Sequence, residues 1–259
     1  MDALMTMDEA ILRRRTFRSY IMESLEPEII DDLVDFLSDL VLPDNKIEWN
    51  FDTPDHAEMA RLLGGDPLID APHYLLIRSE KVKGVYQNVG YIGEMACLWL
   101  TAHGIASGWW GSCEISPVND YEDVLPYIAT VCFGRSAEAF RDPETLPPRK
   151  KSLAKVAFGD MREHRQRIME LTWMAPSCMN VEPCRYVVDT HRIHIYRKKS
   201  KLLKGGKFES YQCLDVGVAM AHMDVAAHKF GFRVIFEHLY PEPNYRRETY
   251  QFSAHLLTE

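Results

Sequence analysis

The chain has no long apolar run, no paired cysteines and no low-complexity tract in its 259 residues. A membrane span needs about 20 consecutive apolar residues, and the apolar stretch from Met95 to Ala102 is far shorter. The N-terminus reaches Arg13 without an apolar core, so no signal peptide is expected. Six cysteines (Cys97, Cys113, Cys132, Cys178, Cys184 and Cys213) include no C-x-x-C pair, and most lie in apolar runs. That pattern predicts reduced, buried thiols in a cytoplasmic protein rather than a disulfide frame. A net charge of −8 argues against nucleic-acid partners, so any phosphate must be met by a local basic cluster. The histidines give no metal signature. His191 and His194 fall on opposite faces of a strand, and His222 and His228 do not share a helix face well. No glycine run makes a dinucleotide fingerprint.

What is present is a globular composition, 46% hydrophobic and 26% charged. A chain of this length can bury roughly three quarters of its unfolded surface. Asp8 is a candidate N-cap for a first short helix. Pro27 opens an amphipathic helix whose apolar positions run Ile29, Ile30, Leu33, Val34, Leu37, Leu40 and Val41. A strand is expected from Ile47 to Phe51 and a helix at His56–Leu63, stopped by Gly64-Gly65. A strand follows at His73–Arg78, then a helix apolar on nearly every side at Val89–Ala102. A glycine-rich break at Gly104–Gly111, a short helix and a strand at Tyr127–Phe133 complete the first half. The second half holds a helix over 162–174, strands at Arg185–Val188 and Arg192–Tyr196, a buried helix at Cys213–Phe230, and strands at Val234–Phe236 and Tyr250–Leu257.

The order repeats. Val89-Gly90 opens an apolar helix that ends at Gly104, and Val216-Gly217 opens one that ends at Gly231. Each is followed by a strand beginning at a tyrosine, Tyr127 or Tyr250. The chain therefore divides into a first half, residues 1–155, and a second, residues 156–259. The two apolar helices, 89–103 and 214–230, are expected to pack on each other.

Two segments carry a further pattern. Arg14-Arg15-Thr16-Phe17-Arg18-Ser19-Tyr20 contains Arg-Arg-Thr-x-Arg-x-Tyr, and Ala175-Pro176-Ser177-Cys178-Met179-Asn180 is followed by Pro183. With Trp109-Trp110-Gly111 and Arg149-Lys150, these residues resemble the motifs of the nitroreductase family of flavin enzymes, in the subgroup where two half-size copies are fused. Glu182 stands where the family pattern has glutamine, and Cys184 where it has an aromatic. The resemblance implies an α+β nitroreductase-like fold: a duplication forming a pseudo-dimer, with mainly antiparallel sheets flanked by helices. It also implies FMN as cofactor, NAD(P)H as reductant and a nitroaromatic or quinone-like small-molecule acceptor. In single-copy members the arginine-rich segment and the Pro-Ser loop of one site come from different subunits. Here each half keeps one of them, which implies one composite flavin site per chain, in a monomer or a weak homo-oligomer.

On that resemblance Arg14 and Thr16 face the phosphate or ribityl chain, and Arg15 or Arg18 serves the flavin edge or the structure. Arg149 and Lys150 approach the phosphate from the end of the first half. Arginine suits a phosphate because its planar fork makes bidentate, charge-assisted bonds. Ser177, Asn180 and backbone N–H groups of Pro176–Cys178 are candidates for the pyrimidine edge of the ring. Backbone N–H groups near Trp110 and Gly111 are candidates for the reacting nitrogen and its neighbouring oxygen. The competing expectations are a core role for Trp109 and Trp110, an exposed loop for Arg149–Lys151, and a space-filling thiol at Cys178. The alternative function is a non-catalytic, flavin- or ligand-binding descendant of the family. Glu182 favours it, since a carboxylate beside the ring opposes the anionic reduced flavin.

Overall fold

A computed structural model describes residues 3–115, 125–145, 150–198 and 206–258. Arg149, and the short helix expected ahead of Tyr127, lie outside these. The chain forms two compact units, one comprising Met1–Val41, Asn45–Val85 and Met95–Glu144, the other Leu42–Asp44, Tyr86–Glu94 and Thr145–Glu259.

The first unit begins with α1 (Met7–Arg13) and α2 (Pro27–Ser38). The N-cap of α1 is Thr6, not Asp8. The Thr6 N–H donates to the Glu9 carboxylate at 3.0 Å, so Asp8 falls inside the first turn. In α2, Pro27 sits in the first turn, and Ile29, Leu33 and Leu37 form the buried stripe. Leu40 and Val41 lie beyond its end, and Val41 is exposed. After β1 (Trp49–Asp52), α3 (His56–Leu63) is capped by the Asp55 side chain and closed by Gly64 at φ 71°. Strand β2 (His73–Ser79) is buried along its whole length. Helix α4 (Val85–Ala102) is divided, with Tyr86–Glu94 belonging to the second unit. Strands β3 (Ala106–Trp109) and β4 (Tyr127–Gly134) complete an antiparallel sheet ordered β1-β2-β4-β3. The core of this unit gathers Met59, Ala71, Tyr74, Leu76, Trp110, Cys113 and Cys132.

The second unit carries β5 (Ala157–Gly159), α5 (His164–Trp173), β6 (Cys184–Val188) and β7 (Arg192–Arg197). Then follow α6 (Gly206–Lys229), β8 (Phe232–Glu237) and β9 (Thr249–Thr258). Its sheet is ordered β5-β6-β7-β9-β8, with β5 parallel to β6 and the other pairs antiparallel. Helix α6 lies against α5 and strands β6, β7 and β8.

The two sheets share a four-strand connectivity, to which the second adds β5 at its edge. In each, an adjacent pair (β1-β2 or β6-β7) precedes a long helix, two strands follow it, and those two exchange places in the sheet order. Tyr127 meets the Thr130 hydroxyl at 2.7 Å, and Tyr250 meets that of Ser253 at 2.9 Å, three residues on in both cases. The α4–α6 crossing is reciprocal. A side chain at Gly90 would run into the Leu214 carbonyl, and one at Gly217 into that of Gln87. Both pairs are offset by 127 residues, 217 less 90 and 214 less 87. The Val-Gly pairs thus mark equivalent positions of a duplicated unit, where absent side chains let two backbones touch.

Candidate functional site

The arginine-rich segment belongs to the first unit. Arg14 leaves α1 in extended geometry, and the chain then follows β3. The Phe17 N–H donates to the Ser107 carbonyl at 3.1 Å, and the Ile21 N–H to that of Arg135 at 2.8 Å. Phe17 is buried, and the Tyr20 hydroxyl lies 3.2 and 3.1 Å from the carbonyl oxygens of Phe17 and Cys132. Gly108 is required on β3, because a side chain there would strike the Phe17 carbonyl oxygen and crowd Thr16.

This path sorts the three arginines. Arg14 is 5% exposed. Arg15 faces outward, paired with Glu138 at 2.9 Å and 5.3 Å from the Phe17 ring centroid, so it braces the surface. Arg18 is exposed and donates to the Trp109 carbonyl at 3.3 Å.

Arg141 is the residue that sequence reasoning missed. It donates to the carbonyls of Ile11 and Leu12, at 2.8 Å each, at the end of α1. Burial, followed by the positive charge of Arg14, lowers its pKa to about 10. Its backbone N–H donates to the Arg13 carbonyl at 2.9 Å, which anchors it beside the start of the arginine-rich segment. Its charge was the one sequence signal, diluted by Glu138, Asp142 and Glu144 around it.

Trp110 takes the core role. Its indole is buried beside Tyr74, with Nε1 donating to Ser112 at 3.1 Å, and its backbone N–H donates to the Thr130 carbonyl at 3.0 Å. The Trp110 backbone N–H, one of the donors expected for a flavin, is thus engaged within the sheet. An apolar run containing tryptophan has the same pattern whether it lines a core or a ring, so sequence could not separate them. Gly111 is exposed.

The Pro-Ser loop and Lys150 belong to the second unit. Lys150 is engaged by the loop itself. Its ammonium donates to the Ala175 carbonyl at 2.6 Å and pairs with Glu182 at 3.2 Å. Burial pulls its pKa below the ordinary value, with Glu182 opposing that shift. Lys151 also pairs with Glu182 at 3.2 Å and donates to the Val181 carbonyl at 2.7 Å. Burial raises the Glu182 pKa, but the Lys151 N–H and the two lysine charges outweigh it, and the carboxyl stays below its usual range. Glu182 thus locks the loop to the two lysines, and its charge is compensated there. That weakens the electrostatic case for a non-catalytic protein.

The loop itself is strained. Met179, Asn180 and Glu182 have φ of 53°, 55° and 48°, a region costing non-glycine residues about 1 kcal/mol or more each. Ser177 Oγ accepts the Glu182 N–H at 2.9 Å, which leaves its own hydroxyl proton to donate. The Cys178 N–H is engaged by the Asp215 carboxylate at 2.8 Å, so it too leaves the pool of flavin donors. Burial, then Asp215, raises the Cys178 thiol pKa to about 11, which favours the space-filling role. Pro176 carries no N–H, and the Asn180 side chain is exposed.

Among the described residues no helix is long and apolar enough to cross a membrane, and no group of three or more His, Cys, Asp or Glu could hold a metal ion.

The fold is thus a duplicated α+β chain with two sheets flanked by helices. Residues 6–227 match the family model described as "Putative TM nitroreductase", and the chain belongs to that family. A putative nitroreductase from Thermotoga maritima has the same fold, with TM-score 0.64 and 17% identity over 100% of this chain and 96% of that one. A nitroreductase with bound FMN from Bacteroides fragilis matches more loosely, with TM-score 0.45 and 14% identity over 56% of this chain and 97% of that one. An FMN-dependent nitroreductase from Clostridium difficile gives TM-score 0.38 and 17% identity over 52% and 92%. No curated protein matches the chain.

Proposed function

We propose that the chain is an FMN-dependent oxidoreductase that passes electrons from NAD(P)H to nitroaromatic or quinone-like acceptors and binds one flavin per chain. The observation that carries this is the cationic corner at the end of α1, where the Arg141 N–H donates to the Arg13 carbonyl at 2.9 Å and its guanidinium to the Ile11 and Leu12 carbonyls, next to Arg14 in the chain. Arginines gathered there, Arg14 only 5% exposed, suit a phosphate. Family membership supplies the flavin context. Arg14 and Arg141 hold the phosphate, and Thr16 adds a hydroxyl. Ser177 and Asn180 are assigned to the pyrimidine edge, and Arg18 and the Gly111 backbone remain candidates for the ring side. FMN, when bound, supplies the hydride chemistry, and the residues of the chain bind and orient it.

Fluorescence titration of the full chain with FMN tests this. The wild type is expected to bind one equivalent at micromolar levels or tighter. Arg14→Ala, losing charge-assisted bonds of about 1.5–3 kcal/mol, is expected to weaken binding about tenfold to a hundredfold. Absence of FMN binding by the wild type sinks the proposal. The second reading, a non-catalytic flavin-binding descendant, is favoured by one observation, the loss of Lys150 to Glu182. Bound FMN that NAD(P)H never bleaches under anaerobic conditions would establish it instead.

A further inference from the structure

We propose that Asp215, on α6, is the positioning residue of the Ala175–Asn180 loop. One carboxyl oxygen fixes the Cys178 N–H, and the other exchanges a proton through the small cavity that the carboxyl lines. The cofactor consequence rests on the flavin role given to that loop above, whereas the anchoring itself does not.

The loop needs an outside anchor, because Met179 and Asn180 within it and Glu182 just after it are held at positive φ. Lys150 and Lys151 hold the loop and its exit from a neighbouring segment, and Ser177 bonds the Glu182 N–H from within. Asp215 holds it from a long helix, and that helix is fixed by the Gly90–Gly217 crossing. A rigid element is the better base for a strained segment.

Asp215 is 6% exposed, and its Oδ2 is buried without a hydrogen-bond partner. The carboxyl lines a cavity of about 30 Å³, with Lys150, Ser177, Glu182, Cys184 and Tyr186 among the other walls. That is room for one water-sized guest. A carboxylate buried with an unsatisfied oxygen is costly. A proton on Oδ2 removes that cost, and Oδ1 continues to accept the Cys178 N–H.

Asp215 changes charge near neutrality, beside the buried Glu94–His222 pair at 2.9 Å. Burial raises its pKa to about 7, with the Cys178 N–H and Lys150 opposing and Glu94 adding to the rise. Glu94 faces it from α4, Lys150 from the segment before β5, Cys178 and Glu182 from the loop, and Cys184 and Tyr186 from β6. Helix α5 contributes Thr172 and Trp173, neither of which titrates. Lys150 and Glu182 compensate each other. Burial, above all, holds Cys178, Cys184 and Tyr186 neutral.

The test uses the full chain labelled with ¹⁵N-cysteine and no flavin, the Cys178 amide being assigned through Cys178→Ser. Its ¹H–¹⁵N shift is expected to titrate between pH 5 and 9 with a midpoint near 7. In Asp215→Asn, which keeps the acceptor oxygen, the shift should be flat and the loop intact. A flat wild-type profile, or a titration that persists in Asp215→Asn, overturns the proposal. FMN titration of the same samples forms the second arm. The wild-type Kd should change about tenfold between pH 6 and 8, the span of a one-unit linked pKa shift, and that of Asp215→Asn should not. A Kd that ignores pH while Cys178 titrates removes the link to the cofactor. Absence of FMN binding in every sample sinks the flavin reading and leaves the amide result to decide the anchor.

Discussion

The Gly90–Gly217 crossing is where the fold is least tolerant of added volume. In Gly217→Ala the new methyl would overlap the Gln87 carbonyl oxygen and lie 2.7 Å from the Tyr91 nitrogen and 2.8 Å from the Gln87 carbonyl carbon. All three atoms are backbone of α4, so no side chain can swing aside, and the helices must part. Overpacking costs about 1–3 kcal/mol where side chains can adjust, and a backbone-on-backbone clash belongs at about 3 kcal/mol. Alanine's better helix propensity returns about 1 kcal/mol, leaving a net loss of about 2 kcal/mol. At this chain length that lowers Tm by about 4–8 °C. The assay is paired urea and thermal unfolding of wild type, Gly217→Ala, Gly90→Ala and Gly206→Ala. Gly206 is on the same helix, and a side chain there would meet nothing within 4 Å, so its alanine variant should be neutral or slightly stabilised. Gly90→Ala should resemble Gly217→Ala, and the double variant should lose less than the sum, because the first methyl has already separated the helices. A Gly217→Ala protein as stable as wild type would refute the close crossing.

Two further outcomes follow from single contacts. Asp55→Ala removes the acceptor of the Glu58 N–H at 2.8 Å and should cost about 1 kcal/mol in urea unfolding. Asp215→Asn should stabilise the protein by an amount that grows with pH. A carboxyl with ordinary pKa 3.8 and folded pKa about 7 favours the native state below 3.8 and loses that contribution as pH rises through 7. The cost above pH 7 is then about 4 kcal/mol. The stability of the variant relative to wild type should therefore climb between pH 4 and 7 and level off above, and a difference independent of pH contradicts the buried acid.

Much of the fold was legible because it follows from short-range rules. The apolar block His73–Arg78 became the fully buried β2, Gly64 closed α3 in the left-handed region, and the two Val-Gly pairs marked the repeat. Family membership was legible in the Arg14–Tyr20 and Ala175–Asn180 patterns. The missed features depend on partners distant in sequence. Glu182 signalled a departure from the family pattern, but nothing local tied it to Lys150 and Lys151. Arg141 has no pattern at all, and its role comes from where α1 ends. One signal was present and unused: Glu94, Asp215 and Asp224 fall within the apolar stretches of two helices. Each has a specific partner, at 2.9 Å from His222, 2.8 Å from the Cys178 N–H and 2.5 Å from the Tyr91 hydroxyl. A carboxylate in a buried helix needs such a partner.

The departure at Glu182 is best understood together with Lys150, and a double-mutant cycle separates two accounts of it. If Glu182 merely replaces the family's glutamine at a tolerant position, Glu182→Gln should be silent. The structure argues otherwise, since the Glu182 and Lys150 side chains are 9% and 10% exposed and 3.2 Å apart. Breaking a buried pair from one side costs about 3–5 kcal/mol, because the other charge is stranded, whereas replacing both is often close to neutral. Glu182→Gln and Lys150→Met should each destabilise strongly, and the double variant should recover most of the loss. Lys151 limits the recovery, because it also pairs with Glu182. The pH dependence has the opposite sign to that of Asp215. The Glu182 carboxyl is depressed in the folded state, so its contribution is present above its ordinary pKa of 4.5 and fades as pH falls through the lower folded value. The gap between wild type and Glu182→Gln should therefore shrink on acidification. Additive losses in the cycle would show that Glu182 and Lys150 are not coupled, and Lys150 would then return to the set of cations open to a phosphate.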